Sequence, residues 1–505
     1  MSTGKKVVGN SIIMYIQLIL NVLIGLVSVR LLLNALGQSD YGLYDLIGGV
    51  IGLFGFITSS LAQASMRFIS VSLGKGDDDD TARVFNSCFW LHLFIAIALC
   101  FLLEIFGLFI FNGFLNIEPE RITIAKIIFH CMVLSLLINI NVSPLIALAS
   151  SYENFLFVAI VSIVDSLLKL GIAVAVYYTM LDKLLVYGIL MVGISVINYL
   201  LYFSYSKRKY KAALYIGRPN FSALKEVMGF AGWTLLDTFS SVINRQGYAI
   251  MLNKFFGTVM NSAFAVSRQL EGHVYSVSVS VVNSMKPQIM KSYGSGDQDR
   301  MFRLSLTAGK FGFYMMSLVC IPLVVMMPEV LRLWLGTVPD NTVIFARLLI
   351  LACMAEQITK GLVHANQAVG NIKWFSIIVS SMRIMALPVS IIALLFGAKA
   401  WVAIFVFLLF ETIGSLCRIF VLAKITEFKP SSFFRDVLFQ VLPPTIIATI
   451  VCYLLNRVDI GVWWMLFVLL ITCLVLVAFV FFFGLTREEK AFLTDLIKGF
   501  LNKSK

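Results

Sequence analysis

Arg245 and Arg383 are the residues of this chain with the most chemistry to offer. Each lies inside a long apolar segment, with no Asp or Glu three or four positions away. A guanidinium in such a segment is costly to leave alone, so each is expected to face a hydrated cavity or to find a partner on another helix. Its planar fork fits the oxygens of a phosphate or diphosphate. Three more cations, Lys169, Arg268 and Lys360, stand three or four residues from Asp165, Glu271 and Glu356. That spacing puts each pair on one helical face, and local neutralisation makes these cations secondary candidates. Arg30 closes the first apolar segment and is a candidate for anchoring a turn or meeting a cargo. Asp45, Asp165, Asp237 and Glu356 are candidate groups for ion coupling. Glu411 and Arg418 lie two turns apart and could face one seam.

Other chemistries lack their residues. No Gly-x-x-x-x-Gly-Lys-Ser/Thr sequence occurs, which argues against direct ATP use. His92, His130, His273 and His364 are scattered without metal-ligand spacing. The eight cysteines all lie in apolar segments and read as small buried side chains. Asp77–Asp80 is a run of four acids in a short polar connection, a poor geometry for a metal. The longest expected outer connection, near 112–122, is too short for a soluble catalytic domain. No catalytic residue, metal or cofactor is expected, and the chain does not read as an enzyme.

The elements that position these residues are membrane helices. The chain is 59% hydrophobic and 13% charged, about half the charge of a soluble protein. At roughly 20 residues per span, ~14 helices are expected. Their ranges are 8–33, 43–66, 86–113, 122–150, 155–178, 182–205, 221–256, 259–290, 305–336, 340–367, 374–396, 399–425, 433–455 and 460–484. The first carries a polar stripe, Asn10, Gln17, Asn21 and Ser28, suited to interhelical hydrogen bonds or a hydrated wall. Prolines inside apolar segments, Pro144, Pro322, Pro388 and Pro443–Pro444, are expected to bend their helices.

The net charge of +13 invites a nucleic-acid reading, which its distribution opposes. With both termini inside, the inner segments carry 25 Lys and Arg and the outer ones 8. That is a positive-inside bias, so the basic balance is mostly topology. Thr486-Arg-Glu-Glu489 reads as a capping box opening an amphipathic helix on the inner surface.

Two matches at one spacing argue for parallel halves. Gly37 and Gly257 stand 220 positions apart, and at the same offset Gly74-Lys-Gly-Asp77 meets Gly294-Ser-Gly-Asp297. The domains are then 1–206, a six-helix bundle; 207–220, a basic linker; 221–425, a second six-helix bundle; 426–485, two additional helices; and 486–505, the amphipathic helix. The fold class is all-α and polytopic.

Around the first of these glycines, Arg30, Leu36, Gly37, Asp40 and Tyr41-Gly42-Leu43-Tyr44 link the first two spans. With this pattern the chain resembles the flippases of the multidrug/oligosaccharidyl-lipid/polysaccharide exporter superfamily, and within it the polysaccharide and O-antigen lipid-carrier branch. The branch's usual Gly-Pro-Glu in this turn is Gly37-Gln-Ser here. The resemblance implies two bundles facing a central cavity and alternating access. It implies a cargo of undecaprenyl-diphosphate-linked oligosaccharide, moved from the inner to the outer leaflet of a bacterial cytoplasmic membrane for surface polysaccharide (lipopolysaccharide) synthesis. Implied partners are membrane lipids, a polysaccharide polymerase and glycosyltransferases. Drug exporters of the superfamily typically stop at twelve helices, and two extra spans suggest lipid handling. The alternatives are a cation-coupled multidrug antiporter of the same fold and, further off, a membrane glycan polymerase or ligase.

Overall fold

The computed structural model describes residues 3–52, 54–109, 111, 119–213, 217, 219–335, 338–457, 461–486 and 489–491. Among them there is no strand. The chain forms two compact units, Val8–Thr238 with Met290–Gly296, and Met1–Val7 with Phe239–Ile289 and Asp297–Lys505.

The N-terminal unit begins with α1 (Thr3–Gly52), which is interrupted at Gly37, where φ is 79° and ψ 172°. Only glycine holds that left-handed, extended geometry cheaply, so the motif glycine breaks one span from the next. Helix α2 (Gly55–Lys75) ends on Gly76, whose φ of 76° lets its N–H bond back to the Leu73 carbonyl. Asp77 then accepts from the N–H groups of Asp79 and Asp80 at 2.9 Å, opening α3 (Asp78–Phe109). The acidic run therefore sits in the first turn of a helix, where carboxylates offset the free N–H groups. Helices α4 (Ile122–Ser151), α5 (Phe155–Tyr178) and α6 (Lys183–Lys209) follow, the last two capped by Asn154 and Asp182. Helix α4 runs through Pro144 as one uninterrupted helix.

This unit's core joins Leu32, Leu36, Ile47, Leu103, Ile128 and Phe129 to Val176 and Tyr187. The motif packs into it, with Tyr44 edge-on to Tyr187 at 4.8 Å. The polar stripe of α1 bonds across helices at Asn21, which donates to Ser162 at 2.8 Å and accepts from Ser166 at 3.0 Å. Asp40 is held by Arg121, which also reaches Asp182, at 3.0 and 2.6 Å. In the basic linker, Tyr210, Ala212 and Ala213 are buried, and Trp90 donates to the Gly217 carbonyl at 2.9 Å. Its residues 214–216 and Arg218 lie outside the described residues.

Helix α7 (Phe221–Gly294) is broken at Gly257, with φ 80° and ψ −171°. That is nearly the Gly37 geometry, 220 positions later. Ser60 shares a 2.7 Å hydroxyl bond with Thr238. Near the end of α7, a Cβ on Gly74 would strike the Lys291 backbone, and one on Gly294 would strike the Val71 backbone. Lys291 also pairs with Glu153 at 2.6 Å.

In the C-terminal unit, Asp297 caps α8 (Gln298–Val325) by accepting from the Arg300 N–H. Then come α9 (Met327–Leu335), α10 (Thr342–Gln357), α11 (Lys360–Val369), α12 (Lys373–Leu395), α13 (Ala400–Ile425) and α14 (Pro430–Phe433). A π-helical turn, Phe434–Leu438, leads into α15 (Phe439–Leu455), and α16 (Val462–Phe479) closes the membrane helices. The span expected over 340–367 is split, because α10 and α11 meet at 43°.

Two prolines help attach the added helices. Pro322 and Pro444 lack the N–H that would bond the carbonyl four residues back. The freed Leu318 carbonyl accepts the Cys473 thiol at 3.6 Å, and the Gln440 carbonyl accepts the Tyr314 hydroxyl at 2.9 Å. Ile321 and Met326 bury themselves with Ala448, Cys452, Val468 and Leu476. Polar and apolar contacts thus fasten α15 and α16 to α8.

Among the described residues, ten helices are long and apolar enough to cross a membrane, eleven if α10 and α11 form one bent span. The other expected spans, 43–66, 221–256 and 259–290, fall on the stretch after Gly37 with α2 and on the two limbs of α7, which are not among these helices. The chain is an all-α, multi-pass membrane protein. Of the C-terminal amphipathic helix, the capping box is described: Glu489 accepts from the Thr486 N–H at 2.8 Å, and Thr486 from the Glu489 N–H at 3.3 Å. Residues 492–505 lie outside the described residues.

Candidate functional site

Among the described residues, a group of buried charges lies in the C-terminal unit, around the bend between α10 and α11. Glu356 falls in the last turn of α10 and Lys360 in the first turn of α11. Each is at the helix end its own charge disfavours, so their 2.6 Å bond offsets two unfavourable placements at once. Helix α8 presses on this bend: a Cβ on Gly361 would meet the Ser305 carbonyl, and one on Gly309 the Ile358 carbonyl.

Helices α12 and α13 bring two arginines to the same carboxylates. Arg383 reaches Glu356 at 2.9 Å and Glu411 at 3.1 Å. Arg418 reaches Glu411 at 3.2 Å and Glu356 at 3.6 Å, and donates to the Thr359 hydroxyl at 3.2 Å. Arg418 is 1% exposed and Glu411 5%. From α7, Ser241 meets Arg383 at 3.2 Å and Asn244 donates to the Arg383 carbonyl at 2.6 Å. The Lys360 ammonium sits 5.4 Å from the centre of the Tyr275 ring. Three cations therefore share two carboxylates. Arg268 and Glu271 form a further pair at 3.4 Å, within electrostatic range of Glu356 and Arg245. Arg245 itself is exposed and makes no ion pair among the described residues.

The structure thus brings Arg383, Lys360 and Glu356 together, with Arg268 and Arg245 near them. Arg383 takes the cross-helix partners that the sequence left open. Lys169 and Asp165 belong to the N-terminal unit, paired at 2.7 Å with Asn198 donating to Asp165 at 2.6 Å. Arg30 is exposed and makes no ion pair among the described residues, and Asp237 is half-buried. The side chain of Asp45 lies outside the described residues. Sequence reasoning set Glu411 and Arg418 on one seam without ranking them as site residues. Their signal was present: an acid and a base two turns apart in an otherwise apolar helix.

The arrangement can neutralise a buried anion, and its carboxylates are already engaged by fixed cations. A MatE family model matches residues 14–175. No curated protein matches the chain. Among solved structures, a MATE in the straight conformation superposes with a TM-score of 0.72 at 16% identity, covering 85% of this chain and 97% of that one. The fold is that of the MATE transporters. A second likeness is to a multidrug resistance MATE family transporter of the MOP superfamily in its outward-facing conformation, with a TM-score of 0.68, 14% identity, and coverage of 84% and 97%. A third is to a MOP superfamily transporter from Pyrococcus furiosus, described by a reverse polarity of its binding pocket that suggests a different function. Its TM-score is 0.69 at 14% identity, covering 85% of this chain and 96% of that one.

Proposed function

We propose that this chain is an alternating-access membrane transporter that exports an amphiphilic cargo. The MatE match over residues 14–175 and the MATE fold over 85% of the chain support transport rather than catalysis. On the comparisons, multidrug antiport is the better supported of the two cargo classes weighed from the sequence. A neighbour of the same fold is a multidrug resistance transporter.

One observation favours the other class, an anionic amphiphile such as an undecaprenyl-diphosphate-linked oligosaccharide. Glu356 and Glu411 are bound by Lys360, Arg383 and Arg418. Carboxylates so engaged are poor receivers of a coupling cation, and the cations in excess suit a diphosphate. The Pyrococcus furiosus neighbour is a precedent for this fold with the polarity of its pocket reversed. On this reading the protein works in a bacterial cytoplasmic membrane with both termini inside. Glycosyltransferases and a polysaccharide polymerase would supply and consume its cargo. Transport by reconstituted protein, comparing a cationic dye with a lipid-linked diphosphate glycan, separates the two classes.

A further inference from the structure

We propose that a pocket in the C-terminal unit binds the phosphoethanolamine headgroup of a membrane lipid. The pocket lies where α8, α9, α10 and α15 meet and encloses about 460 Å³. Its polar wall is Glu329, Arg347, Tyr453, Asn456 and Arg457. It is separate from the charge cluster around Glu356 and operates whichever cargo is carried.

The charges in this pocket are held apart. One Glu329 carboxylate oxygen accepts a 3.4 Å bond from the Asn456 amide, while the other is buried with no hydrogen-bond partner among the described residues. Glu329 forms no ion pair among those residues, although Arg347 and Arg457 line the same pocket. Arg347 spends two donors on the end of α8, reaching the Val324 and Val325 carbonyls at 2.8 and 3.1 Å. Arg457 lies over the Tyr453 ring at 5.2 Å. A guanidinium carries five N–H donors, so both arginines keep donors to spare.

A buried carboxylate oxygen without a partner calls for a donor, and two guanidiniums with spare N–H groups call for an acceptor. A ligand carrying an ammonium and a phosphate a few atoms apart supplies both. Phosphoethanolamine is that chemistry. Its primary ammonium has N–H groups for Glu329, whereas a trimethylated one has none, and a glycerol headgroup brings no cation. The flank of the pocket indicates the source. Ile450, Tyr453 and Leu454 are exposed along α15, a membrane-spanning helix, and offer an apolar path for acyl chains. The pocket sits where the membrane-spanning α8 and α15 end, as a headgroup site requires.

The test is thermal unfolding of the full-length protein in detergent. Short-chain phosphatidylethanolamine, phosphatidylcholine, phosphatidylglycerol and free O-phosphoethanolamine are added at matched concentration. Phosphatidylethanolamine should raise the midpoint by several degrees more than the other two lipids, and more than free O-phosphoethanolamine. Glu329→Gln and Arg457→Gln should each remove most of that difference, while Arg435→Gln, an exposed residue away from the pocket, should leave it intact. Equal shifts from all three lipids, or an undiminished difference in both pocket variants, would overturn the site. An equal shift from free O-phosphoethanolamine would overturn the lipid as its source. If a variant fails to fold, native mass spectrometry of the wild type decides: bound phosphatidylethanolamine should survive a tenfold excess of phosphatidylcholine, and its replacement would refute the proposal.

Discussion

Gly74 and Gly294, 220 residues apart, make the same contact in exchanged positions. Gly74 lies against the backbone of Lys291, and Gly294 against the backbone of Val71. Val71 and Lys291 are themselves 220 residues apart, so each element of the repeat serves once as glycine and once as wall. The obstacle in both cases is backbone, which cannot turn aside as a flexible side chain can. Gly74→Ala and Gly294→Ala are each expected to destabilise by about 1–3 kcal/mol. The double variant should cost less than the sum, since the first methyl already widens the shared crossing. A double-mutant cycle on unfolding in mixed micelles measures this, and full additivity would show that the two contacts are independent.

The charge cluster makes a prediction about compensation. Glu411→Ala leaves Arg383 and Arg418 to share Glu356, and losing a buried partner costs about 3–5 kcal/mol. Arg418→Met in the Glu411→Ala background removes a stranded cation and should restore part of that loss. Unfolding midpoints of the three proteins check it, and a double variant weaker than Glu411→Ala would show that Arg418 serves through other contacts.

Lys310 and Glu489 form a 2.6 Å pair, with the lysine side chain 3% exposed. Gln440 also accepts from Lys310 at 2.9 Å. Glu489→Gln keeps an acceptor for the capping box but removes the charge. The expected result is a lower unfolding midpoint together with faster proteolysis after Thr486. In a Lys310→Met background the same substitution should have little further effect, because the charge it served is gone.

Local spacing made much of this legible. The glycine breaks at 37 and 257 announced themselves by a repeat. The Asp165–Lys169, Arg268–Glu271 and Glu356–Lys360 pairs follow from three- and four-residue spacing, and the Thr486–Glu489 capping box from its pattern. The pairs that cross between distant helices did not show. Arg383 with Glu411, Arg121 with Asp40 and Asp182, and Lys291 with Glu153 depend on which helices become neighbours, and no short window carries that. Proline was readable by position and not by role: Pro322 and Pro444 matter through the carbonyls they free for α16 and for Tyr314.

Topology offers a check independent of cargo. The excess of Lys and Arg on alternate connections predicts that the linker around Lys211 faces the cytoplasm. A reporter fused after Lys211 should read as cytoplasmic, and a periplasmic signal there would invert the assigned orientation.

The most direct test is transport by reconstituted protein, with Arg245 as the probe. If the cargo is the anionic amphiphile, wild-type proteoliposomes should move a lipid-linked diphosphate oligosaccharide between leaflets and leave a cationic dye where it is; if it is a drug, they should export the dye instead. Arg245→Ala, at matched protein level and normal unfolding midpoint, should slow glycan movement roughly ten- to a hundredfold, the loss of one charge-assisted contact of about 1.5–3 kcal/mol. Arg245→Lys should recover part of the rate if charge alone matters, and little if a bidentate phosphate contact is needed. Dye export driven by a sodium or proton gradient, with no glycan movement and no effect of Arg245→Ala, would contradict the anionic cargo and leave multidrug antiport in its place.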